Sequence, residues 1–527
     1  MRDAARRAAA LVALAVFAAA APATELSAAE RAGRRLYREG IGASGASVVA
    51  TVGLDASRVP GHIVPCASCH GADGLGRSEG GVVPPVITWA ELSKPYGHLH
   101  DNGRRHGPFD AAGLTRAVTL GIDPAGNPLE RTMPRYALGR DDLANLFAYL
   151  QRLELDTDPG VRADALRLGT LLPTTGPLGD TGRLMQRVLE AYFADLNAAG
   201  GLYGRRIELV APDYGGDRTA TLARADALMA EGDVLALVAP LVAGAETELA
   251  SLAERQRVPV IGPVGAGGLG GSSAVTATRY TFMLQSGLRE QVRTLVAYAA
   301  SALAIEGAPL TLVASADAAY APLADALAAQ CVRARCGRTA LQRYTAGGFD
   351  AGAAIAAHQA SGAKLLFFLG PEADLATLLR DLAARGVYPT VLLPGALGAR
   401  AAVQAPAGFD GRLLLAYPSA PGAALASGGP FEAFRARHGL PTGQVAAQAG
   451  AYAAAVLLGE GLRRGGRAIS REKLVAALES VRGLDTDAVP PLTYGPDRRI
   501  GAFGGVVVAL DAAGRSFRPV SPWLPLE

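Results

Sequence analysis

Residues Cys66-Ala67-Ser68-Cys69-His70 set two thiols three positions apart, with an imidazole directly after the second. Thiols at this spacing can add to the two vinyl groups of haem, and the adjacent histidine can ligate the iron. One covalently attached haem c is therefore expected, bound through Cys66 and Cys69 with His70 as an axial ligand. A redox C-x-x-C belongs instead at a strand-to-helix junction of a βαβ unit, and this motif stands in a loop-rich block. The other axial position can be argued by elimination. Between Met1 and Met185 the one methionine is Met133, followed by Pro134. A thioether raises the potential of a His-ligated haem and suits electron transfer. His98, His100 and His106 are the alternative distal ligands, and loop or surface positions are the blander account of them.

Two further cysteines, Cys331 and Cys336, are close in sequence, and an oxidising compartment favours a local disulfide between them over two buried thiols. No second Cys or His pair lies near them to complete a zinc site. Gly265, Gly267 and Gly270 spell G-x-G-x-x-G after a strand. No helix and no acidic ribose partner follow, so the match is a loop rather than a dinucleotide site. Catalytic triads and metal-ligand clusters are not visible, and an electron carrier rather than an enzyme is expected.

The elements that must position these groups fall into three blocks. From Thr24 to Leu155 the chain is loop-rich with a helix at each end and little strand character. Ser27 and Glu30 form a capping box for the first helix. Leu143, Leu146, Phe147, Leu150 and Leu153 recur at helical spacing in the last. Asp156 to Gly160 reads as the start of a linker spanning 156–165. From Leu166 strands alternate with helices, the pattern of βαβ units and a parallel sheet. Strands are expected at Leu166–Leu172, Ile207–Val210, Val234–Val238, Val258–Ile261, Leu310–Val313 and Lys364–Leu369, with a hairpin over Phe503–Arg518. Two α/β lobes imply a cleft between them, where ligands bind.

The 527 residues exceed what one core serves. Half are hydrophobic, 19% are charged and the net charge is +3, so neither disorder nor a nucleic-acid footprint is indicated. Met1–Arg7 is basic, Ala8–Ala21 is apolar, and Ala21-Pro22-Ala23 offers a cleavage site, which assigns 1–23 to a signal peptide. No later stretch reads as membrane-spanning, and a soluble periplasmic protein is expected.

The first block resembles class I cytochromes c. Cys66 to His70 after an N-terminal helix, Met133-Pro134-Arg135-Tyr136 on a turn, and the closing helix Leu143–Leu153 carry the likeness. It implies an all-α cytochrome domain over 24–155. Residues 166–527 resemble periplasmic solute-binding proteins of the branched-chain amino acid type. Thr174-Thr175-Gly176-Pro177-Leu178-Gly179, the stretch Leu196 to Val210, and Arg257-Val258-Pro259-Val260-Ile261-Gly262 carry that likeness. It implies two α/β lobes closing on a small molecule, with a pocket near Thr175, Gly244, Val264 and Ala266. The loops at 240–245 and 263–266 lack hydroxyls, and no acid stands around Pro394–Gly398. A free amino acid would therefore bury charges without partners.

The expected protein is a multidomain periplasmic c-type cytochrome that passes single electrons and carries a fused small-molecule-binding module. A periplasmic redox partner is implied, with a quinoprotein dehydrogenase suggested by analogy. Two alternatives stay open. One is an ABC-transporter solute-binding protein with an accessory haem domain, which would meet a permease. The other is a haem-linked ligand sensor.

Overall fold

The computed structural model describes residues 26–53, 55–76, 83–100, 103–212, 218–231, 233–242, 244–264, 278–419 and 429–526. The expected signal peptide and the glycines at 265, 267 and 270 lie outside the described residues. The chain divides into two compact units, Met1–Thr157 and Asp158–Glu527.

In the first unit, helix α1 (Ala28–Glu39) opens with the expected capping box: Ser27 accepts from the Glu30 amide, and Glu30 accepts from the Ser27 amide. It packs on α5 (Arg140–Arg152), and Gly33 makes the approach possible, since a Cβ there would sit 2.0 Å from the Asn145 carbonyl oxygen. Between them lie α2 (Cys66–His70), α3 (Trp89–Leu92) and α4 (Ala111–Leu120). Tyr37, Leu114, Leu146, Tyr149 and Leu150 form the core.

The expectation of an all-α domain needs correction. Strands β1 (Val49–Val52), β2 (Ser57–Pro60) and β5 (Arg135–Ala137) make an antiparallel sheet in the order β2-β1-β5. A second ribbon pairs β3 (His98–Leu99) with β4 (Arg105–His106). Strands of two to four residues are too short to display a period-2 pattern, and β2 is largely exposed. The proposed linker is likewise shorter than expected. Asp156 belongs to the first unit, accepting from Arg34 and Tyr149, while Asp158 accepts from the Arg471 amide inside the second.

The second unit has two lobes. Strands β6 (Ala165–Gly169), β7 (Arg206–Val210), β8 (Leu237–Val238), β9 (Val260–Ile261) and β10 (Thr281–Gln285) belong to the first lobe. Strands β11 (Leu310–Ser315), β12 (Thr339–Tyr344), β13 (Leu365–Leu369), β14 (Thr390–Pro394) and β15 (Leu413–Tyr417) belong to the second. After them β16 (Ile500–Ala502) returns to the first lobe, and β17 (Gly504–Asp511) and β18 (Ser516–Pro519) to the second. The sheets run β16-β10-β9-β8-β6-β7 and β12-β11-β13-β14-β15-β17-β18. All ladders of the first sheet are parallel, whereas β17 runs antiparallel to β15 and β18, as the expected hairpin. Strand β13 shows why its run is apolar throughout: Leu366 and Phe368 enter the core on one face, Leu365, Phe367 and Leu369 that on the other.

Where the chain passes between lobes, Ser286 Oγ donates to the Ala502 carbonyl at 3.2 Å and accepts from the Gly504 amide at 2.9 Å. One described helix, Val445–Gly465, is long and apolar enough to cross a membrane, with Glu460, Arg463 and Arg464 near its end. It is a core helix of the first lobe, with 67% of its most apolar window buried.

Candidate functional site

Helix α2 is a single turn. Positions i and i+3 of a turn share a face, so Cys66 and Cys69 project together, and His70 follows at the end. Gly71 ends the turn at φ 77°, a conformation an L side chain rarely adopts. The backbone on both sides of the motif is pinned by buried tyrosines. Tyr136 from β5 donates to the Val64 carbonyl at 2.5 Å, and Tyr37 from α1 donates to the Gly71 carbonyl at 2.6 Å. Burial pushes the Cys66 thiol up to about 11.

His70 is buried, and burial lowers its pKa, so the imidazole is neutral at pH 7. Its Nδ1 donates to the Pro85 carbonyl at 3.1 Å. A neutral ring protonated on Nδ1 presents the Nε2 lone pair, the arrangement a metal-ligating histidine needs. Met133 packs on the same apolar cluster as Val64, Cys66, Ala67 and Ile87. Arg135 clasps its turn from behind, donating to the carbonyls of Met133, Leu129 (3.0 Å) and Glu130 (3.2 Å). Gly121 leaves room for that guanidinium, which a Cβ would overlap at 1.8 Å. His98, His100 and His106 are not scattered loop residues. They meet on the β3–β4 ribbon, with His100 Nε2 3.0 Å from His106 Nε2.

In the second unit, Thr175, Gly244 and Val264 follow the carboxyl ends of β6, β8 and β9, which are neighbours in one sheet. Parallel pairing runs past the strands: the Leu241 amide donates to Leu171 O, and the Val264 amide to Pro240 O, both at 2.8 Å. This edge is where open α/β sheets bind ligands. Ala266 lies outside the described residues. Across the cleft, at Gly395, an acid is not merely missing but excluded. A Cβ on Gly395 would come within 2.2 Å of the Tyr417 ring. Glu372 is committed elsewhere, paired with Arg400 at 2.7 Å and accepting from the Arg400 and Ala401 amides. Asp374 lies beside the Tyr344 hydroxyl, whose pKa rises through burial and then through this carboxylate.

The family model described as periplasmic binding protein matches residues 165–513, and that described as cytochrome c matches 64–154. The chain belongs to the periplasmic binding protein family. Its first unit carries a cytochrome c domain. Several solved structures share the fold of the second unit. A putative branched-chain amino acid ABC transporter from Rhodospirillum rubrum is 19% identical, with a TM-score of 0.54, over 68% of this chain and 100% of that one. A leucine binding protein, LivK, from Thermotoga maritima is 17% identical, with a TM-score of 0.51, over 68% and 98%. A fatty acid ABC transporter substrate-binding protein from Thermomonospora curvata is 17% identical, with a TM-score of 0.51, over 71% and 95%. Among curated proteins no sequence matches the chain.

Haem c, implied by the cytochrome c match, fits the residues present. A buried neutral His70 with its Nδ1 satisfied, two thiols on one face of α2, and Met133 on the adjoining apolar wall form a consistent donor set. In this periplasmic binding protein, sequence reasoning missed Tyr37 and Pro85, and it named Tyr136 in a motif without its role. Their contributions are backbone contacts made across 34, 15 and 72 positions, which leave no local signature. No sulfur–sulfur bond joins Cys331 and Cys336 in this structure, where the two thiols lie side by side. The turn closed by the Cys336 amide on Cys331 O, at 3.0 Å, sets the two side chains in hydrogen-bond contact, and burial raises both pKa values.

Proposed function

We propose that this chain is a periplasmic single-electron carrier, not itself an enzyme, with a fused module for a small molecule. When bound, haem c supplies a one-electron couple. Cys66 and Cys69 would anchor it, His70 and Met133 would ligate its iron, and the clasp of Arg135 keeps the Met133 turn in place. The observation that carries the reading is the His70–Pro85 hydrogen bond, which orients a buried neutral imidazole beside two paired thiols. A single-electron carrier implies a periplasmic redox partner. A quinoprotein dehydrogenase is proposed as that partner on family analogy. Covalent linkage holds carrier and binding module at high effective concentration.

The test is a pyridine haemochrome assay with intact mass on protein exported with the haem-attachment machinery. One haem per chain, resistant to acid extraction, is expected. Substituting Cys66 and Cys69 together by Ala should leave no covalent haem, and retention of it would refute the assignment. The breadth of the binding-protein match, residues 165–513, favours solute delivery to an ABC permease as the second reading. Solute uptake that depends on the chain but survives loss of the haem cysteines would select it.

A further inference from the structure

The β3–β4 ribbon carries groups that electron transfer and ligand binding leave unused. His98 and His106 stand opposite each other in the ribbon, and His100, two residues beyond His98, shares their face. Ring centres lie 4.4 Å apart for His98 and His100, 5.1 Å for His100 and His106, and 6.1 Å for His98 and His106. His106 is buried, and its Nδ1 donates to the Gly107 carbonyl at 2.7 Å. That bond fixes the ring's proton on Nδ1 and leaves Nε2 as an acceptor, facing His100 Nε2 at 3.0 Å. His98 directs Nδ1 at Glu91 Oε1, also at 3.0 Å. A carbonyl partner on Nδ1, as His106 has, is what orients Nε2 toward a metal.

The ribbon is firmly held. Arg104 pairs with the fully buried Asp123 at 2.8 Å, and Asn127 donates to the Arg105 carbonyl at 3.0 Å. Lys94 is paired with Glu91 at 2.6 Å. Burial first, then the Arg104 charge, holds the His100 pKa down to about 4, so the ring is neutral at pH 7 and able to ligate.

We propose that His100 and His106 chelate one Cu(II) ion through their Nε2 atoms, with His98 closing the same face. At bond lengths of about 2.0–2.1 Å, nitrogens 3.0 Å apart subtend about 95° at the ion. That angle suits a tetragonal site, and the general affinity order of divalent ions for imidazole ligands favours Cu(II) over Zn(II). His100 moves its proton from Nε2 to Nδ1 through solvent, so both rings remain neutral and no net proton is released. Among the described residues no three ligating groups already surround one point. The third bond therefore requires the His98 ring, 37% exposed, to swing in from Glu91.

The test uses the haem-loaded full chain titrated with copper sulfate, read by calorimetry and by electron paramagnetic resonance. One equivalent should bind with a tetragonal Cu(II) signal split by imidazole nitrogens. His100→Ala and His106→Gln should each remove the signal and weaken binding at least a hundredfold. His62→Ala, an exposed histidine of the same unit, should change nothing. An unaltered Soret band and far-ultraviolet dichroism certify folding, and if His106→Gln does not fold, His100→Ala decides. Absence of stoichiometric binding, or a signal that survives in His100→Ala, overturns the site.

Discussion

The Nδ1 of His70 lies 3.1 Å from the carbonyl oxygen of Pro85, fifteen residues further along the chain. This one bond converts a histidine next to two thiols into an oriented ligand, because it settles which ring nitrogen carries the proton. The loop that supplies Pro85 is tied back by the Ile87 amide, which donates to Gly74 O at 2.7 Å.

The motif's N-terminal side depends on Tyr136, whose hydroxyl satisfies the Val64 carbonyl within the core. Tyr136→Phe should destabilise the first unit by about 1–3 kcal/mol, the cost of an unsatisfied buried acceptor. Denaturant unfolding followed at the Soret band would measure it, and an unchanged midpoint would show that the bond is structurally idle.

Much of this was legible in the residues, and what was not has a physical cause. The helices α1 and α5 announce themselves by a capping box and by the Leu143 to Leu153 spacing. The run Leu365–Leu369 reads as a buried strand because both of its faces are covered. The β1-β2-β5 sheet stays hidden, since its pairing joins Ala50 to Tyr136 across 86 positions. The histidine cluster stays hidden too, since only the ribbon register sets His98 against His106. At Gly395 the sequence shows a missing acid, but only the structure shows Tyr417 filling the space.

That filled space bears on ligand choice. A zwitterionic amino acid needs an acid opposite the carboxylate-binding loops, and Gly395 cannot supply one while Glu372 is held by Arg400. Losing such a partner costs about 3–5 kcal/mol, roughly a thousandfold in affinity. Calorimetry of the full chain with leucine, isoleucine and valine should show no micromolar binding. Micromolar binding of any of the three would reject this account and promote the transport reading.

Cys331 and Cys336 are close enough for their thiols to hydrogen-bond, and an oxidising compartment would join them. Protein recovered from the periplasm and alkylated without reduction should carry no label at either residue. Labelling of both would establish them as structural thiols.

His358 sets an acid sensitivity in the second lobe. Its ring is buried, Nδ1 meets Thr311 Oγ1 at 2.9 Å, and burial lowers its pKa below 6.5. The unfolded chain therefore takes up a proton as pH falls through about 6.5 while the folded chain does not, so stability declines below that pH. Trp523 is the second unit's tryptophan, and Trp89→Phe isolates its fluorescence. In that background His358→Asn should flatten the loss of stability between pH 7 and pH 5. An identical slope in both proteins would exclude His358 as the cause.

The most direct test of the electron-carrier account is the far-red absorption band that a sulfur–iron bond gives in the oxidised protein. The account predicts the band in the native chain, its loss in Met133→Ala, and a lower reduction potential in that variant. A native spectrum without the band, or one unchanged by Met133→Ala, would contradict Met133 as ligand and return the position to His98, His100 or His106.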